Sequence, residues 1–239
     1  MSVSPDHRLL AYTVDTAGDE VYELTVVDVE TAEAVDAGLG GLTYGLVWAN
    51  DNRTLFLVGT DDAQRADHVL RHEVRAGGAP AVVFAEPDER FWVGLGKTRS
   101  DRFVVIAAES KTTSECHLVD ADDPASPPRL VRARRDGVEY RVDHQGGRLL
   151  VVANDDGADD FRLAEAPLEG GAAGEWAAGE WRELLGHRPG VRLEDVDCFE
   201  TFAVVHERRA GLPRLRLVDL RPPAGGGADE SAAWLAAPP

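Results

Sequence analysis

Five times along these 239 residues, an apolar β-type run meets a tight polar turn and a second apolar run follows, often with a third that closes on a polar residue. The first unit runs from Ser4-Pro5-Asp6 through Leu9-Leu10-Ala11-Tyr12-Thr13-Val14 to Val21–Asp28. The second holds Gly45-Leu46-Val47-Trp48-Ala49, a turn at Asn50–Arg53, then Thr54–Val58 and His68–Glu73. The third holds Phe91–Leu95, a turn near Ser100-Asp101, then Phe103–Ile106 and Glu115–Asp120. The fourth holds Glu139–Val142, a turn at Gln145-Gly146-Gly147-Arg148, then Leu149–Val152 and Asp160–Leu163. The fifth holds Val191–Val196, Phe202–Val205 and Leu215–Asp219.

A repeat of about 40–50 residues built from short strands is the spacing of propeller blades. One such unit cannot bury both faces of its small sheet, whereas stacked units can. The fold class is therefore all-β: a partial β-propeller of about five four-stranded blades, with almost no helix. The continuous apolar runs Val104-Val105-Ile106 and Leu149-Leu150-Val151-Val152 suit inner strands buried on both faces. Asp28, Asp120 and Asp219 each close a run and are expected to cap the turn that follows. The propeller is assigned to residues 1–221 and a Pro/Gly/Ala-rich, disordered tail to 222–239, in which Trp234-Leu235 is expected to dock. Gly170–Trp181, with its duplicated Ala-Gly-Glu-Trp, reads as an enlarged loop between strands.

With 43 acidic and 25 basic residues the formal net charge is −18, which argues against nucleic acid as a partner. The surplus keeps the chain soluble and attracts cations. No apolar stretch approaches the roughly 18–20 residues of a membrane span, and the N-terminus lacks a signal core. The expected location is cytoplasmic. Cys116 and Cys198 lie in different units and read as small packed thiols, not a disulfide.

Chemistry is conspicuous by what is missing. No Gly-x-Ser-x-Gly elbow, phosphate loop, dinucleotide fingerprint, His-Glu-x-x-His or Cys-x-x-Cys occurs. His68 and His72 have a helical zinc spacing, but on a strand they stand about 13 Å apart. His144, His187 and His206 read as turn or strand-end residues, and His7 and His117 show no evident partner. Asp155-Asp156 with Asp159-Asp160 lack a calcium-loop spacing and read as a solvated turn. Trp48, Phe91, Trp92, Tyr140 and Phe202 read as core. Ser114, Glu115 and His117 are the only local cluster of catalytic residue types, and Ser114 and His117 fall on opposite faces of a strand. No catalytic, cofactor-binding or metal-ligating residue is assigned, and no serine is expected to be reactive.

Several stretches together are similar to one family. Val47-Trp48-Ala49-Asn50-Asp51, Val69-Leu70-Arg71-His72, Glu86-Pro87-Asp88-Glu89-Arg90-Phe91, Lys97-Thr98-Arg99-Ser100, Ser110–Glu115, Glu139–His144 and Glu207–Leu212 occur in order and at comparable spacing. Over about Val3 to Leu220 the chain resembles the N-terminal β-propeller of oligopeptidase B, in the prolyl oligopeptidase family of serine peptidases. The resemblance implies a seven-bladed propeller over an α/β-hydrolase domain, with access limited to short peptides that are cleaved after Lys or Arg. No residue here matches a triad position, so the chain is expected to be inactive alone. It is expected to start inside the first blade, to lack the catalytic domain and to be a fragment or truncated product. The exposed sheet edges of an incomplete set of blades are expected to promote association.

The expected role is the substrate-gating portion of such a peptidase. Its expected partners are short basic peptides and an α/β-hydrolase domain supplied by a neighbouring chain. The alternative is a stand-alone propeller that binds without catalysis. Glu86, Asp88 and Glu89, on a polar turn before Phe91-Trp92, are the candidate substrate-steering or interdomain residues.

Overall fold

The computed structural model describes residues 1–168 and 180–221, together with the backbone of a short strand at Trp234–Leu235. Every regular element among them is a β-strand. The chain divides into two compact units: Met1–Lys97, Asp101–Lys111 and Cys116–Leu130 form the first, and Thr98–Ser100, Thr112–Glu115 and Val131–Pro239 the second.

In the first unit, β1 (Ser2–Val3), β2 (Leu9–Val14), β3 (Tyr22–Asp28), β4 (Ala34–Trp48), β5 (Thr54–Thr60), β6 (Ala66–Glu73) and β7 (Ala81–Ala85) form one antiparallel sheet in chain order. It comprises two blades joined through the fifteen-residue β4. The first part of β4 pairs with β3, from Val27↔Ala34 to Tyr22↔Leu42, and the last part with β5, at Leu46↔Leu57 and Trp48↔Leu55. The sequence pattern begins the second unit at Gly45; the structure shows that the outer strand of the first blade runs on into it. Gly38 and Gly41, at φ +88° and +73°, bend this strand without ending it. A third blade follows in the order β11-β10-β9-β8, made of β8 (Trp92–Lys97), β9 (Phe103–Glu109), β10 (Ser114–Asp120) and β11 (Arg129–Leu130).

Alternation along β5 explains how the blades stack. Leu55 and Leu57 pack with Leu9, Ala11, Leu24 and Val26 of the first blade. Phe56, one residue out of phase, packs with Val93, Val104, Ile106 and Val119 of the third. Each of these side chains is at least nine-tenths buried, and burying a residue of this size contributes roughly 1.5–3 kcal/mol. Trp48 is sealed in the first core and donates its indole N–H to Ser2 O at 3.1 Å.

The second unit holds two blades: β12 (Tyr140–Gln145), β13 (Arg148–Ala153), β14 (Arg162–Pro167) and β15 (Arg182–Leu185); then β16 (Val191–Cys198), β17 (Phe202–Arg209), β18 (Leu212–Asp219) and β19 (Trp234–Leu235). Gly146-Gly147 form the two-residue turn that closes Gln145↔Arg148. Leu150 and Val152 of β13 pack with Leu193, Val196, Cys198, Ala203 and Val205 of the last blade. Backbone pairing of Leu215↔Leu235 and Arg216↔Trp234 gives that blade its fourth strand, which is the docking expected of the tail. The rest of 222–239, and most of the duplicated Ala-Gly-Glu-Trp loop, lie outside the described residues.

The turn caps are as expected. Asp28 accepts from the Glu30 and Thr31 amides, Asp120 from Asp122 and Asp219 from Arg221. Other expectations need correction. Trp92 and Phe202 are 50% and 37% exposed, so they are not core. Phe91 and Val93 take the inward phase, which turns Trp92 outward. Phe202 instead stacks on Phe199, with centroids 4.6 Å apart. His206 lies in the middle of β17 rather than at a turn or strand end, whereas His144 falls at the end of β12 as expected. Asp155 is buried, and its charge is met by Arg162.

Candidate functional site

The Glu86–Phe91 turn connects β7 to β8 and is held from beneath by Arg65. The Arg65 guanidinium donates to Asp88 O at 3.0 Å, Phe91 O at 2.9 Å and Glu86 O at 3.3 Å, while its Nε donates to Asp61. Glu86 is buried, and its carboxylate accepts the Asp88 amide at 2.9 Å. Asp88 is gripped by the forked guanidinium of Arg90. Glu89 projects into solvent. The three acids named from the sequence are thus unlike one another: Glu86 organises the turn, Asp88 is largely neutralised, and Glu89 offers an open charge.

A cleft of about 790 Å³ opens in the second unit, lined among others by Arg132, Asp155, Arg162, Trp181, Glu183 and His187. Its floor is a buried ion pair, in which Arg162 donates to the two Asp155 oxygens at 2.8 and 3.0 Å. Burial works against the Arg162 charge, yet the bonds it donates to Asp155 hold its pKa above the usual value. Arg132 lies 3.4 Å over the Trp181 ring, and Trp181 meets Tyr140 edge-on at 5.2 Å. Burial, partly offset by Asp155, lowers the Arg132 pKa. The acids expected here as a solvated turn are therefore split: Asp155 closes the cleft floor, whereas Asp156 stays exposed.

Several histidines have defined partners. His72 Nε2 lies 2.9 Å from Asp36, His68 Nδ1 2.6 Å from Asp67 and His206 Nε2 2.9 Å from Asp197. His117 packs against Phe84. Among the described residues no group of three or more His, Cys, Asp or Glu side chains is placed to hold a metal ion.

Ser114 plays a structural part, because its hydroxyl donates to Tyr140 O at 2.9 Å and accepts the Tyr140 amide at 2.6 Å. A different serine meets a histidine. Ser100 Oγ stands 2.7 Å from His144 Nδ1, a pairing across 44 residues that local spacing cannot reveal. The buried Asp143 carboxylate organises the region, accepting the amides of Arg99 and His144 at 2.8 Å and of Cys198 at 2.6 Å. Burial raises its pKa despite those three donors.

Known proteins share this architecture. The profile of the family described as prolyl oligopeptidase, N-terminal beta-propeller domain, matches residues 1–229. Dipeptidyl aminopeptidase BI of Pseudoxanthomonas mexicana is 35% identical over 222 residues, covering 90% of this chain and 29% of that protein. Protease 2 of Moraxella lacunata is 33% identical over 169 residues, covering 70% of this chain and 24% of that one. Among solved structures, oligopeptidase B from Leishmania major superposes with a TM-score of 0.80 at 28% identity, covering 92% of this chain and 31% of its own. Oligopeptidase B from Trypanosoma brucei, with covalently bound antipain, gives 0.79 at 29%, covering 98% and 31%. The chain spans less than a third of the length of these relatives. It belongs to the prolyl oligopeptidase family, as that family's N-terminal β-propeller domain, and is similar in structure to oligopeptidase B.

Proposed function

We propose that this chain is the substrate-gating propeller of an oligopeptidase B-like serine peptidase, which cleaves short peptides after Lys or Arg by means of an α/β-hydrolase domain. The observation that carries the reading is the agreement with oligopeptidase B over nearly the whole chain, in both blade geometry and sequence. Residues 1–221 form the propeller in this reading, and 222–239 a tail that lends it one strand. The protein acts in the cytoplasm, a placement supported by two buried cysteines left as thiols.

Basic peptides are the partners that the charge of −18 favours. Glu89 is the steering residue of the candidate turn, Asp88 contributes less because Arg90 faces it, and Glu86 acts by holding the turn in shape. The test is a titration of the purified chain with fluorescent Arg/Lys-rich and Asp/Glu-rich peptides, read by anisotropy at low and high salt. The basic peptides should bind weakly, lose binding as salt rises, and bind less to Glu89→Gln. Equal binding of both peptide classes, or indifference to salt, refutes steering. The chain alone should not turn over Arg- or Lys-amide substrates, and turnover should require an added α/β-hydrolase domain.

One observation favours the second reading, a binding module that works without catalysis. The last blade acquires its fourth strand from Trp234–Leu235, which gives each blade among the described residues four strands. Peptide binding that is unaffected by any hydrolase domain would select it.

A further inference from the structure

Ser100 and His144 form a pair that the propeller reading does not use. The serine hydroxyl lies 2.7 Å from the imidazole Nδ1, and Thr98 Oγ1 lies 3.1 Å from the same hydroxyl. Ser100 is exposed, while the His144 side chain is buried. Both partners hang from one anchor: Asp143 Oδ1 accepts the amide of Arg99, just before the serine, and the amide of His144 itself. The hydroxyl and the imidazole are thereby held within hydrogen-bond reach before any reagent arrives, which reduces the ordering needed for attack. Serine is a weak nucleophile at its own pKa and is activated by an adjacent base within hydrogen-bond reach. By contrast, Ser126 donates to the carbonyl of Asp123, which cannot take its proton.

We propose that Ser100 is an activated serine with His144 as its general base, and that it accepts an acyl group from activated aryl esters. In this step the Ser100 oxygen forms a bond to the carbonyl carbon and its proton passes to His144 Nδ1. The bond from that carbon to the aryl oxygen breaks, and the phenolate leaves with the electron pair. Thr98 can donate to the Ser100 oxygen as the charge shifts. The acyl group remains on Ser100, so one equivalent of phenolate is released and there is no peptidase turnover. The inference goes beyond the gating role and stands whether or not that role is correct.

The experiment is acetylation of the full chain by p-nitrophenyl acetate, followed by peptide mapping to assign the label to individual residues. General-base assistance is worth about 10²–10⁴-fold in rate, so Ser100 should acquire acetyl roughly 10²-fold or more faster than Ser126. Ser100→Ala should remove that fast label. His144→Gln, with unchanged circular dichroism, should slow Ser100 to the Ser126 rate. Wild-type Ser100 reacting no faster than Ser126, or a fast Ser100 that His144→Gln leaves unchanged, overturns the proposal. Should His144→Gln fail to fold, the wild-type comparison of Ser100 with Ser126 decides alone.

Discussion

Replacing Asp143 by Asn tests how one buried carboxylate holds the second unit together. Asp143 accepts three backbone amides, with Arg99 and His144 on Oδ1 and Cys198 on Oδ2. The substitution keeps the shape but turns one acceptor into an NH₂ donor. An amide oxygen facing Arg99 and His144 puts that NH₂ against the Cys198 amide, so two donors meet in a buried site. The alternative flip strands two donors instead of one. A buried donor left without a partner costs about 1–3 kcal/mol, and the two surviving bonds lose their charge assistance. The sum is a loss of about 2–4 kcal/mol for Asp143→Asn. At about 2–4 °C per kcal/mol for a chain of this size, the melting temperature should fall by roughly 4–16 °C. The assay is urea unfolding at pH 7, followed by hydrogen exchange at the Arg99, His144 and Cys198 amides, which isolates this unit from the first. A loss below about 0.5 kcal/mol, the range of ordinary surface substitutions, would refute the reasoning.

The pH dependence of the same variant has a definite sign. Because burial raises the Asp143 pKa above 3.8, the folded state binds this proton more tightly than the unfolded chain. The contribution of that proton is fully present below 3.8 and is lost as pH rises through the folded-state pKa. Asn has no such proton. The wild-type advantage over Asp143→Asn should therefore be greater near the acid end of this window than above it, as urea midpoints across the window would show. An advantage that grows with pH in this window would contradict the sign.

Other outcomes follow from the same structure. Asp155→Ala removes both short bonds from the buried Arg162 guanidinium and leaves it only the exposed Asp156 at 3.4 Å, so it should cost about 3 kcal/mol in urea unfolding, at the low end for a broken buried pair; a loss under about 1 kcal/mol, typical of exposed pairs, would mean that the cleft floor is solvated. Burial pushes the Cys198 thiol pKa well up, and Cys116 is buried too. Native protein at pH 8 should thus resist iodoacetamide and take up two equivalents only once unfolded, with fast native alkylation as the contrary result.

How much of the fold is legible in the chain depends on the kind of interaction. The inner strands announce themselves because both faces are buried, so runs such as Leu149–Val152 can be apolar throughout. The turn-capping aspartates are equally local, since each carboxylate bonds amides two or three residues ahead. The family resemblance is legible for the same reason: short segments around those turns retain their residues and order. Outer strands escape such a reading. β7, β11 and β15 are short and at most half-buried, with Val83, Phe84, Leu184 and Leu185 only flanking the cores, so no apolar alternation marks them. The first part of β4 is concealed by glycines that read as a loop.

Charge and pairing across long separations belong to the tertiary structure. Composition predicts an acidic surface, but not that Glu86 is buried while Glu89 stays open, because burial depends on Arg65 arriving from another part of the chain. Nor can spacing reveal that Asp155 and Arg162, though only seven residues apart, are buried together beneath a cleft, or that Ser100 meets His144, 44 residues away, on a shared Asp143 anchor. Alternation and turn chemistry act over two to four residues and are written in the sequence itself. Which side chains converge from 40 or more residues apart is decided only when the blades stack and close-packed cores fix every strand in register.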